Sequence, residues 1–133
     1  METSEKISVN MNVATLSQID LLVDGGYYSN RSDFINQAVR QILDAKQGVI
    51  DRLSEADRGG DGDGEWFLGV FAGPSETMLR AAEKKGKKMK IRGYGLLTLD
   101  RRLDDLLLAN VSEIRVRGKV ICSERVKERF GLK

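Results

Sequence analysis

The chain has 133 residues, one cysteine, no histidine, and 22 Lys/Arg against 20 Asp/Glu. That length allows one domain or two small ones, and no apolar run approaches the roughly 20 residues of a membrane span. A lone Cys122 excludes an intrachain disulfide and suits a reducing compartment, and the first six residues lack the regions of a signal peptide, so a cytoplasmic protein is expected.

Along Lys6-Ile7-Ser8-Val9-Asn10-Met11 the residues alternate with period two. This predicts a strand with Ile7, Val9 and Met11 on one face and Lys6, Ser8 and Asn10 on the other. No partner strand follows it. The simplest pairing is with its own copy in a second chain, a two-stranded ribbon of a size that enters the DNA major groove. Leu16, Ile19, Leu22 and Val23 then recur at helical spacing, with Thr15 or Ser17 near the start and Gly25-Gly26 as the stop. A second helix opens after Tyr27-Tyr28, where Ser29 or Asn30 caps it and Asn30-x-x-Asp33 is a weaker relative of the capping box. Its apolar stripe, Phe34, Ile35, Ala38, Val39, Ile42 and Leu43, is wide. Some 46 residues with two short helices are too few to bury it within one chain, so an intertwined homodimer is expected.

The order strand, short helix, Gly25-Gly26-Tyr27-Tyr28-Ser29-Asn30-Arg31-Ser32-Asp33-Phe34-Ile35, then Ala38-Val39, resembles the ribbon-helix-helix DNA-binding proteins of the Arc/MetJ/CopG type. The resemblance covers residues 5–45 and is most specific in the segment between the two helices. It implies that the outward strand residues Lys6, Ser8 and Asn10 read base edges. It also implies that the start of the second helix, around Ser29, Asn30 and Arg31, clamps a DNA phosphate. The chemistry agrees: a helix N-terminus offers unpaired amides and partial positive charge. Asn10 pairs bidentately with adenine, Ser8 serves either sense, and Lys6 suits guanine or phosphate. Two departures stand out: Lys6 is the strand's only basic residue, and Asn12 stands where a proline commonly follows.

Val49, Ile50 and Leu53 continue an apolar stripe, which predicts that the second helix runs on through residues 45–57 in spite of Gly48. Residues 58–64, with four glycines, read as a linker between domains 1–57 and 65–133. Asp57, Asp61, Asp63 and Glu65 lack the ligand spacing of a calcium loop. Residues 65–72 read as a buried strand, and Pro74 or Ser75 starts a helix with Met78, Leu79 and Ala82 on its apolar face. Five lysines follow within residues 84–90. They suit a solvated helix end, or an accessory phosphate contact. Residues 89–96 then align with 114–121 as an internal repeat, apolar-basic-apolar-Arg-Gly-x-x-apolar, and each copy runs into a charged helix over 103–108 or 126–130. Gly93 and Gly118 mark bulges or hairpin tips. Two copies fall short of a solenoid. The expected class is α+β: an N-terminal ribbon-helix-helix unit plus a small C-terminal α/β module for assembly or effector binding.

Charge is unevenly placed. Residues 1–46 carry four Lys/Arg against six Asp/Glu, whereas residues 76–133 carry sixteen against eight. Long-range attraction to a polyanion should therefore come from the C-terminal half. Without histidine, a His-rich metal site cannot form, and Cys122 has no His partner for nucleophilic chemistry. There is no phosphate-binding loop, and Asp104-Asp105 point apart on a helix, so no enzyme and no cofactor are expected. The leading reading is a sequence-specific DNA-binding regulator, a repressor, acting on double-stranded DNA as a homodimer or as a higher oligomer through 65–133. An antitoxin whose C-terminal part wraps a toxin, and a ribbon-dimerised scaffold without DNA binding, are the alternatives.

Overall fold

The computed structural model describes residues 4–59 and 64–132. The chain divides into two compact units, Met1–Arg52 and Leu53–Lys133. Asp61 and Asp63 of the expected linker lie outside the described residues. Among those described, no helix is long and apolar enough to cross a membrane.

In the first unit, the strand expected over residues 6–11 is not formed. Residues 4–12 carry no regular secondary structure, and Ile7 and Val9 stand 78% and 71% exposed. A strand is held by hydrogen bonds to a neighbour, and a single copy supplies none here. Helix α1 (Val13–Asp24) begins earlier than Thr15 or Ser17 suggested. Asn12 caps it, its side chain accepting from the Ala14 amide at 2.8 Å, while the Ser17 hydroxyl bonds back to the Val13 carbonyl inside the helix. Gly26, with φ at 86°, turns the chain out of α1, and the Tyr27 amide closes the turn on the Leu22 carbonyl. Helix α2 (Arg31–Ala45) stops at Lys46, and α3 (Gln47–Arg58) starts afresh where the Ile50 amide bonds the Lys46 carbonyl. The apolar stripe thus crosses a break instead of running on in one helix.

The second unit alternates strand and helix. Strand β1 (Gly64–Phe71), α4 (Glu76–Lys85), β2 (Met89–Thr98), α5 (Asp104–Asn110), β3 (Val111–Ile121) and α6 (Glu124–Phe130) follow one another. The strands form a three-stranded sheet in the order β1-β2-β3, with both pairs parallel. Parallel neighbours need crossovers, and α4 and α5 provide them. Leu79 of α4, Leu107 of α5 and Val126 of α6 join Phe67, Ile91, Leu97 and Ile114 of the strands in one core. All three helices therefore pack on the same side of the sheet. At the start of β1, Trp66 Nε1 donates to Asp57 Oδ2 at 2.7 Å, and the Arg58 guanidinium sits 5.5 Å from the ring centroid. These contacts lie within the second unit and hold the last turn of α3 against Trp66.

The register corrects the repeat. Gly95, not Gly93, stands opposite Gly118, and Gly69 stands opposite Gly95, so there are three strand-helix units and not two. Neither Gly93 nor Gly118 is a hairpin tip or a bulge; the one irregularity lies at Met89/Lys90. Gly69, Gly95 and Gly118 all have φ between 116° and 145°, where side chains are strained. A Cβ on Gly95 would strike the Gly69 carbonyl oxygen, and one on Gly118 the Gly95 oxygen. Gly93 is held by a different constraint, since the Phe67 ring and carbonyl oxygen fill the place of its Cβ.

Candidate nucleic-acid interface

The start of α2 is built by reciprocal caps. Asn30 Oδ1 accepts from the Asp33 amide at 2.8 Å, and Asp33 Oδ2 accepts from the Ser29 amide at 3.0 Å. This is the capping-box logic with the return bond made one residue earlier than usual. Gln37 Nε2 also donates to Asp33 Oδ1 at 3.0 Å. The Ser29 amide first, and then Gln37, hold the Asp33 carboxyl below its ordinary pKa. Arg31 and Ser32 are the first two residues of the helix, so their amides have no acceptor within it.

Arg31 itself is occupied. Its Nε and Nη2 donate to the two carboxylate oxygens of Asp20 on α1, at 2.8 and 2.9 Å. The hydrogen bonds from Arg31 hold Asp20 below the usual carboxylate range, and Asp20 raises Arg31 in return. Of the three residues expected to clamp phosphate, Ser29 and Asn30 thus shape the backbone, and Arg31 ties two helices together with its charge neutralised. Sequence reasoning missed Asp20. It lies eleven residues before Arg31, across the Gly25-Gly26 turn, and no helical or strand period links such positions.

Lys6, Ser8 and Asn10 are all exposed on the irregular segment, as are Ile7 and Val9. In one copy, then, no face separates a reading set from a core set. Among the described residues, no hydrogen bond or ion pair joins Lys6, Ser8 or Asn10 to the start of α2. In the second unit, Arg115, Arg117 and Lys119 stand exposed at alternate positions of β3. Arg115 pairs with Glu113 at 3.5 Å. The period-two placement of these cations was legible in the sequence, but their place on the sheet face opposite α4, α5 and α6 was not. Lys84 and Lys85 close α4, where the helix dipole favours cations. Cys122 is buried, and burial pushes its thiol pKa up.

Comparison with known proteins adds one finding. The sequence model of a family described as "Ribbon-Helix-Helix transcriptional regulator family" matches residues 2–127. No curated protein and no solved structure matches the chain.

Proposed function

Because the chain belongs to the ribbon-helix-helix transcriptional regulator family, we propose that it binds a specific DNA sequence as a homodimer and represses transcription there. The observation that carries this reading is the missing core of the first unit. Ile19 is its one buried hydrophobic among the described residues, while Ile7, Val9, Ile35, Val39, Ile42 and Leu43 are exposed. Fully burying one such side chain is worth about 1.5–3 kcal/mol. Covering six would contribute on the order of 10 kcal/mol, comparable with the whole stability of a small domain. A second copy supplies that cover.

Pairing residues 6–11 of two copies also gives each the ladder it lacks, and it sorts the side chains. Ile7, Val9 and Met11 turn to the shared core, leaving Lys6, Ser8 and Asn10 outward for base edges. The amides of Arg31 and Ser32 take a flanking phosphate. A dimer seated in this way on a promoter blocks polymerase access, with no enzymatic step and no cofactor. Footprinting the purified chain on its own genomic DNA tests this reading: two protected half-sites about one helical turn apart are expected. Light scattering of Val9→Lys tests the dimer. Loss of folded dimer supports the reading, and an unchanged dimer refutes it.

A dimerising scaffold without DNA binding is the second reading. It is favoured by the Arg31–Asp20 pair, which removes a cation from the expected phosphate clamp. The antitoxin reading gains nothing comparable, since the second unit packs a core of its own.

A further inference from the structure

Helices α4, α5 and α6 lie on the side of the sheet that carries Phe67, Ile91 and Ile114. On the other side one end is already covered by the last turn of α3. There Asp57 accepts from Trp66, and the Arg58 carbonyl accepts from Arg92 Nη2 at 3.2 Å. Beyond that end the register lays two rows across the strands, Leu68-Tyr94-Arg117 and Val70-Leu96-Lys119. Leu68, Val70 and Tyr94 are exposed, and so are Arg115, Arg117 and Lys119 along β3. Glu113 opens the β3 column and takes Arg115 at 3.5 Å. Among the described residues, no carboxylate pairs with Arg117 or Lys119.

Charge and apolarity are therefore sorted by strand. The edge strand β3 holds cations in a line, the middle strand offers the Tyr94 ring beside them, and β1 adds aliphatic side chains. Alternate residues of a strand stand about 6.6 Å apart, which is comparable with the spacing of successive phosphates on a polynucleotide. The β2 and β1 columns lie about 4.8 and 9.6 Å from the cations, the range over which a nucleotide carries its base away from its phosphate.

We propose that this face binds a single-stranded polynucleotide, with phosphates along Arg115, Arg117 and Lys119 and bases laid on Tyr94 and the aliphatic columns. A cationic track and an exposed ring are the two means by which proteins hold single strands without regard to sequence. The same layout tells against a duplex. Its bases are stacked inside, so its phosphates would meet β3 and leave Tyr94, Leu68 and Val70 in water. The site lies wholly in the second unit. It depends neither on the dimer nor on duplex binding by the first unit.

Anisotropy titrations of the full chain with labelled oligothymidine and oligouridine, at several salt concentrations, test it. Arg117→Ser combined with Lys119→Ser should weaken binding and lower the slope of log K against log salt by about 1.4, or about 0.7 for each phosphate released from a single strand. Tyr94→Ala should weaken binding about tenfold or more and leave the slope alone, whereas Tyr94→Phe keeps the ring and should bind as wild type. Circular dichroism checks folding, and Tyr94→Leu, apolar but without a ring, repeats the test if Tyr94→Ala unfolds. Tighter binding of one oligonucleotide tells DNA from RNA as the natural strand. Absence of binding, or binding that none of these variants changes, overturns the proposal. Loss with the cation variant alone, and equally on a duplex, would reduce the face to a phosphate contact and overturn the single-strand site. Phosphatidylserine vesicles that retain wild type but not Tyr94→Ala, with oligonucleotide binding unaltered, would overturn it in favour of a membrane surface.

Discussion

Arg31 grips Asp20 with two hydrogen bonds, Nε to Oδ1 at 2.8 Å and Nη2 to Oδ2 at 2.9 Å, and so joins the second helix to the first. Such a fork-to-fork pair fixes direction as well as distance. It sets the start of α2, where a phosphate is expected, and it withholds the guanidinium from that phosphate. Positioning is gained and attraction is lost.

Asp20→Asn should release this cation. The expected result is a chain that stays folded, binds DNA more tightly and depends more steeply on salt. Each extra neutralised phosphate adds about 0.9 to the slope of log K against log salt, so two copies of Arg31 should add about 1.8. Titrations of one duplex at several salt concentrations measure it. An unchanged slope would show that Arg31 never reaches the backbone.

Asn10→Ala should relax base preference at one position of each half-site and cost about 1–3 kcal/mol on the cognate sequence. Binding to random DNA should hardly change. Competition between cognate and random duplexes reads this difference directly, and equal losses on both would remove Asn10 from base recognition.

Gly95→Ala should destabilise the second unit by more than about 3 kcal/mol, because the new side chain meets a backbone oxygen and the backbone is held at positive φ. Gly86 is the control. It too has positive φ, but nothing lies within 4 Å of its Cβ position, so Gly86→Ala should cost only about 1–2 kcal/mol. Urea unfolding followed at Trp66 compares the two.

Acid should weaken the first unit. Asp20 and Asp33 both have folded pKa values below the ordinary 3.8. Their contribution is therefore complete above about pH 5 and is lost as pH falls through 3.8 toward the lowered values. With no histidine in the chain, no side chain of ordinary pKa titrates between pH 5 and 8, and stability should be flat there. Asp20→Asn combined with Asp33→Asn should flatten the acid limb as well, as seen in helical circular dichroism against pH.

Much of the local architecture was legible because it depends on near neighbours. The Asn30/Asp33 cap, the Gly25-Gly26 stop, the Ser75 start of α4 and every strand and helix of the second unit follow from spacings within one or two turns. Asn12 was legible as well, since asparagine is among the strongest caps, but the apolar spacing drew the start of α1 toward Thr15. The repeat was half legible. Arg92-Gly93 matches Arg117-Gly118 letter for letter, yet the strands pair two residues away from that alignment. A shift of two keeps every side chain on its face, so periodicity cannot detect it. The first unit of the repeat was hidden because Leu68-Gly69 lacks the basic residue that marks the other two.

Which residues are apolar, where the chain turns, and that residues 1–46 hold more hydrophobic surface than one copy can bury all follow from the order of the residues. That Asp20 neutralises Arg31, that three glycines stand in one row, and that α4, α5 and α6 all pack on one face of a parallel sheet emerge only from the folded chain. The reason is range. Caps and periods are set by residues a few positions apart. Register and pairing join Gly69 to Gly95 to Gly118 and Asp20 to Arg31, and such contacts are chosen by packing over the whole unit.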